Sequence, residues 1–89
     1  MSTLESKIQS KCINYLKKEG WYCLKVIRCN VNGYPDLTIF KNGQTIFIEF
    51  KTEIGKQSKL QEYQQQLIEA QGFKYYVVRS LDELKLLLK

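Results

Sequence analysis

Apolar residues recur along this chain in two rhythms, and each change of rhythm marks a change of element. Leu4, Ile8, Cys12, Tyr15 and Leu16 fall at steps of three and four, which predicts a helix over 3–18 with one buried stripe. Ser2 and Glu5 stand at capping-box spacing at its start, and Gly20 supplies a stop. Residues 21–29, WYCLKVIRC, are aromatic and β-branched and predict a strand. Tyr22, Leu24 and Val26 share one of its faces, and Trp21, Cys23, Lys25 and Ile27 the other. Asn30 to Gly33 is a turn cluster, and Pro35, unable to donate to a ladder, suits the start of the next strand. Strands are predicted over 36–40 and 44–50. A polar loop, 52–59, leads into a helix over 58–71 with Leu60, Tyr63 and Leu67 as its apolar stripe and Gly72 as its stop. Residues 73–79 form a further strand, and Ser80 with Glu83 opens a last helix, 81–89, with Leu84, Leu87 and Leu88 facing the core. The order is helix, three strands, helix, strand, helix. That is a mixed α/β chain, and the long helical crossover permits a parallel pair between the third and fourth strands.

Asn42-Gly43 fixes the geometry of the central hairpin. A type I′ turn needs positive φ at both central residues, and this dipeptide supplies it. Lys41 then faces Gln44, and stepping back along both strands places Asp36 opposite Glu49. Directly opposed side chains have Cβ atoms roughly 4.5–5.5 Å apart, close enough for two carboxylates to share a cation. Alternation puts Lys51 on the face of Glu49, roughly 7 Å further along. A slip of one residue would separate the two acids, so the turn decides the site.

Composition narrows the chemistry. Eighty-nine residues make one small domain, 1–89, for which dimerisation is a natural source of added stability. The net charge of +5 suits a polyanionic partner, although it does not by itself select one. No histidine occurs, which removes histidine general bases and every Ser-His or Cys-His device. Cys12, Cys23 and Cys29 contain no CxxC pair, so buried thiols in a reducing compartment account for them better than zinc or disulfides. The polar N-terminus has no signal-peptide core and no apolar run reaches a membrane span, so the expectation is a cytoplasmic protein without a membrane partner.

Two carboxylates, a lysine and no histidine point to a hard cation bound through oxygen. Asp36 and Glu49 would be the protein ligands of Mg²⁺, and a backbone carbonyl near Phe50 would add a third oxygen. Lys51 would orient a water or stabilise charge on a phosphate oxygen. The bland alternative makes Asp36 a strand start and leaves Glu49 and Lys51 as solvated residues on an exposed face. Against it, Phe47 and Ile48 show a strand apolar on both faces until it reaches Glu49. Glu5 could face inward beside the stripe of the first helix or simply cap it, and Gln61 has a capping role open to it as well. Lys41, Lys56 and Lys59, read as loop residues flanking the site, could hold phosphates or merely be solvated.

Gly33-Tyr34-Pro35-Asp36, followed thirteen residues after Asp36 by Glu49-Phe50-Lys51, resembles the PD-(D/E)xK nuclease signature. The whole pattern is similar to the VRR-NUC (virus-type replication-repair nuclease) domains. Gln61 matches a glutamine early in the helix after E-x-K, Tyr76 to Ser80 matches the closing strand, and Glu5 matches an acid of the first helix. The resemblance implies a restriction-endonuclease-like αβββαβ core with a mixed sheet flanked by helices, here with a short C-terminal helix. It implies Mg²⁺- or Mn²⁺-dependent phosphodiester hydrolysis by Asp36, Glu49, Lys51 and Gln61, with Glu5 reaching the metal through water. It also implies branched DNA such as four-way junctions as substrate, a homodimer, and a stand-alone phage-type or bacterial member. A non-catalytic nucleic-acid-binding module, or a flap, exonuclease or restriction-type activity on the same core, is the competing reading.

Overall fold

The computed structural model describes residues 3–89. Its elements are α1 (Leu4–Lys18), β1 (Tyr22–Lys25), β2 (Leu37–Lys41), β3 (Gln44–Phe50), α2 (Lys59–Ala70), β4 (Lys74–Val78) and α3 (Leu81–Leu87). The strands form one mixed sheet in the order β1-β2-β3-β4. β1/β2 and β2/β3 are antiparallel, and β3/β4 are parallel across the α2 crossover. Asn42 and Gly43 both take positive φ, at 50° and 79°, and Lys41 pairs with Gln44 as the turn chemistry predicts.

Alternation along the strands separates two jobs. One face carries Leu37, Ile39, Ile46, Ile48, Phe50 and Val78, which close a core with Cys12 and Leu16 of α1 and Leu84 of α3. Burial pushes the Cys12 thiol up to about 11, so it is an inert core side chain at neutral pH. Thr38, Phe47, Glu49 and Tyr75 lie on the opposite face by the same period of two. Glu49 is 1 % exposed and Thr38 and Tyr75 are buried, so this second face is covered too. Tyr34 and Phe73 help to cover it, each edge-on to Phe47.

Four expectations change. Thr3, not Ser2, caps α1: its hydroxyl accepts from the Ser6 amide and the Ser6 hydroxyl accepts from the Thr3 amide. Ser2 itself lies outside the described residues. The first strand stops at Lys25, four residues short of the predicted end. After the Val26 amide donates to the Asp36 carbonyl the chain leaves the sheet, and Ile27, 81 % exposed, has no apolar surface to rest on. In α3, Leu84 is buried and Leu88 packs against the core, whereas Leu87 is exposed, because a seven-residue helix turns only one narrow face inward. The largest departure is α2. Leu60, Tyr63 and Leu67 face outward, and no residue of the helix is fully buried. Its half-buried positions are Gln61, Gln64, Gln65 and Ile68, so the helix presents mostly amides to the sheet and its apolar stripe to the surface.

Candidate active site

The hairpin brings Asp36, Glu49 and Lys51 together on the covered face at one end of β2 and β3. The ladder closes with Leu37 opposite Ile48, and Asp36 sits one residue beyond it. Its Oδ2 accepts from the Phe50 amide at 2.8 Å. In a strand the amide and carbonyl of one residue point to the same side, so the Phe50 carbonyl is also directed towards Asp36 and away from β4. The Lys51 amide, one residue on, instead donates to the Val78 carbonyl of β4. Burial raises the Asp36 carboxyl above its ordinary value. The Phe50 amide opposes that, the Glu49 charge adds to it, and Lys51 and Lys25 pull it back down.

Glu49 is held unequally. Oε1 accepts from the Tyr75 hydroxyl at 2.5 Å and from Gln57 Nε2 at 3.0 Å. Oε2 has Lys51 Nζ at 3.8 Å and no hydrogen bond, and among the described residues it is the one buried side-chain oxygen or nitrogen left without one. A bare carboxylate oxygen in a 1 %-exposed residue is costly unless a cation meets it. Burial and the hydrogen bond to Glu49 push the Tyr75 phenol far up, so it acts as a donor and keeps its proton. The donor set therefore fits a hard divalent ion: two carboxylates, one of them with a bare buried oxygen, and one backbone carbonyl directed inward. Among the described residues no three Asp, Glu, Cys or His side chains cluster, so Glu5, half-buried in the first turn of α1, does not join Asp36 and Glu49 as a third acid.

Gln61 is used elsewhere. Its side chain accepts from the Ser58 amide at 2.9 Å while its own amide donates to the Ser58 hydroxyl, the reciprocal cap of α2. The glutamine that reaches Glu49 is Gln57, four residues earlier, and it also donates to Gln65 at 2.9 Å. Lys41 is at the wrong end. It closes β2 at the hairpin tip, roughly 17 Å of strand from Asp36, where Nζ donates to the Glu19 carbonyl at 2.6 Å and lies over the Trp21 ring. It serves the C-terminus of α1. Lys56, in the loop after β3, and Lys59, opening α2, are exposed near the site in sequence.

Three contributors escaped the sequence reading: Tyr75, Gln57 and Arg79. Arg79 Nη1 donates to the carbonyls of Thr52 at 2.7 Å and Gly55 at 2.5 Å, holding the turn that follows Lys51. Gln57 and Arg79 act through loop geometry that no spacing rule announces. Tyr75 could have been found only from the β3/β4 register, which places it beside Phe47, two pairs before Glu49 and on the same face. An open groove of about 350 Å³, lined in part by Arg28, Tyr34, Pro35 and Asp36, gives access to the acid from the β1–β2 connection.

No protein-family model matches this sequence, and no curated protein matches it. A solved structure described as a VRR_NUC domain superposes with a TM-score of 0.88 at 24 % identity, over 98 % of this chain and 96 % of that one. The fold is that of a VRR-NUC domain. The match takes in nearly the whole VRR-NUC chain, so the helices, the mixed sheet and the crossover correspond together. Among the described residues no helix is long and apolar enough to cross a membrane.

The raised Asp36 pKa has a measurable sign. A carboxyl raised on folding contributes stability below its unfolded value, near 3.8, and loses it as pH rises through the higher folded value. Asp36→Asn keeps an acceptor for the Phe50 amide and removes the charge. In EDTA, its melting temperature relative to the unsubstituted protein should climb as pH is raised from 3.8 towards neutrality. A difference independent of pH in thermal scans would remove Asp36 as a strained charge.

Proposed function

We propose that this chain is a nuclease of the VRR-NUC type, hydrolysing DNA phosphodiester bonds with Mg²⁺ or Mn²⁺. The observation that carries the reading is the bare, buried Oε2 of Glu49, beside Lys51 and on the face of Asp36. Asp36, Glu49 and the Phe50 carbonyl would hold the ion. Such an ion supplies a more acidic water and neutralises charge growing on a phosphate oxygen. Lys51 holds the attacking water or the phosphate oxygen by a charged hydrogen bond, its stem half-buried and its amide tied to β4. Gln61 supports the site by capping α2. Arg28 lines the groove, Lys25 acts on Asp36, and Lys56 and Lys59 are exposed on the segment after β3; phosphate binding through such cations weakens steeply with salt.

Branched DNA, four-way junctions included, is the substrate this reading favours, with two copies of the chain related by a twofold axis. The outward stripe Leu60, Tyr63 and Leu67, continued by Phe73, supports the second copy, since these side chains are about half exposed. Sedimentation should give a dimer that Leu67→Glu converts to a monomer. A monomer before the substitution removes the dimer and leaves the nuclease reading standing. The deciding experiment is incubation with linear, nicked, flap and four-way DNA in Mg²⁺, Mn²⁺ or EDTA. Cleavage of branched substrates that EDTA stops is the expected result. Binding without cleavage under every condition would make the chain a nucleic-acid-binding module.

A further inference from the structure

One oxygen of Glu49 is gripped from two sides while its twin is left bare. The gripping donors come from separate parts of the chain: Tyr75 from β4, and Gln57 from the loop before α2. Gln57 is itself braced, its amide nitrogen also donating to Gln65, which reaches Glu69 one turn further along α2. Turning the carboxylate plane away from these donors would break both hydrogen bonds inside a buried site and leave the donors unpaired. Glu49 is therefore fixed in orientation as well as in position.

We propose that Tyr75 and Gln57 are positioning residues that commit Oε2 of Glu49 to the divalent cation shared with Asp36. This rests on the cation reading above and goes beyond it by assigning the device that orients the ligand. An unbraced carboxylate can turn either oxygen, or both, towards the ion or Lys51. A braced one offers a single oxygen in a single direction, and partners of this kind commonly govern affinity by about 10- to 100-fold. The β3/β4 register explains the choice of tyrosine. Tyr75 pairs with Phe47, two pairs short of Glu49 on the same face, and the length of a phenol spans that offset where a shorter hydroxyl side chain would not.

Tyr75→Phe keeps the ring and deletes the donor, and Gln57→Met keeps the length and deletes the amide. Calorimetric titration of the full chain with MnCl₂ should show each variant binding about 10-fold more weakly than the unsubstituted protein. The melting temperature of each in EDTA should fall by a few degrees, because the buried Glu49 loses a donor, and the rise produced by MnCl₂ should shrink as well. Cleavage should then need more Mn²⁺ for half-maximal rate and recover at saturation, a split that a merely structural role would not produce. Equal or tighter Mn²⁺ binding by both variants overturns the proposal while the cation reading survives. Absence of Mn²⁺ binding by the unsubstituted protein overturns the cation reading and this proposal with it. If Tyr75→Phe does not fold, Gln57→Met, in a loop, decides alone.

Discussion

Replacing Lys51 by alanine should abolish DNA cleavage while leaving the binding of branched DNA within a few-fold. A single charged donor aimed at a reacting phosphate oxygen or its attacking water is commonly worth about 10²–10³ in rate. Among the described residues Lys51 is the one cation paired with Glu49, at 3.8 Å, and its side chain is only 16 % exposed, so its charge is held beside the carboxylate. Binding should survive because most phosphate contacts fall to exposed lysines and arginines away from the reacting centre. Lys51→Arg should not restore the rate, since a planar guanidinium does not place its charge where a compact ammonium does. Single-turnover cleavage at saturating Mg²⁺, beside gel-shift affinity in Ca²⁺, separates the two effects. Cleavage by Lys51→Ala at the unsubstituted rate would sink the assignment.

Gly33→Ala should be more destabilising than alanine at the other glycines of positive φ. Gly33 holds a φ of +81°, which a side chain tolerates at about 1–2 kcal/mol. A Cβ there would also meet the backbone of α2, at 2.7 Å from the Leu60 carbonyl carbon and 2.9 Å from the Gln61 nitrogen. Backbone cannot step aside as a flexible side chain can, and overpacking of this kind adds about 1–3 kcal/mol. The sum, roughly 2–5 kcal/mol, is a large share of what a domain of this size has. Thermal unfolding should show a loss of about 10 °C or more. Gly72→Ala is the control, with a φ of +92° and nothing within 4 Å of the added Cβ. Equal losses at the two positions would show that conformation alone, without the contact to α2, explains Gly33. The glycine of the G-x-P-D run thus has a physical reason here: it lets the residues leading into Asp36 lie against the start of α2.

What the sequence disclosed and what it hid divide along one line. Local chemistry was readable. Asn42-Gly43 set the β2/β3 register, and from that register followed the meeting of Asp36, Glu49 and Lys51 on one face. Helix and strand order followed from periodicity because each buried face repeats at its own spacing. Contacts across the parallel pair were not readable, since no tight turn sets the register between β3 and β4. Tyr75 was therefore invisible as a partner of Glu49. Periodicity identified the apolar stripe of α2 but not its direction; Gln65 turns inward to Gln57, the loop residue that reaches Glu49, and the stripe turns out. Gln61 and Lys41 show the same limit. Each residue type fits a nuclease site, yet each is engaged by a nearby helix end that offers unpaired backbone groups.

The alternation of the two sheet faces also constrains how the chain can change in length. Between the hairpin tip and Glu49, scaffold residues and site residues come in strict turn: Ile46 and Ile48 inward, Phe47 and Glu49 towards the site. Adding or deleting one residue in that stretch would drive the carboxylate into the hydrocarbon core and bring Ile48 or Phe50 to the face of Asp36. Only changes by two residues, matched on both strands, return every side chain to its own face. The hairpin can therefore grow or shrink only in even steps, and an odd indel there exchanges core for chemistry.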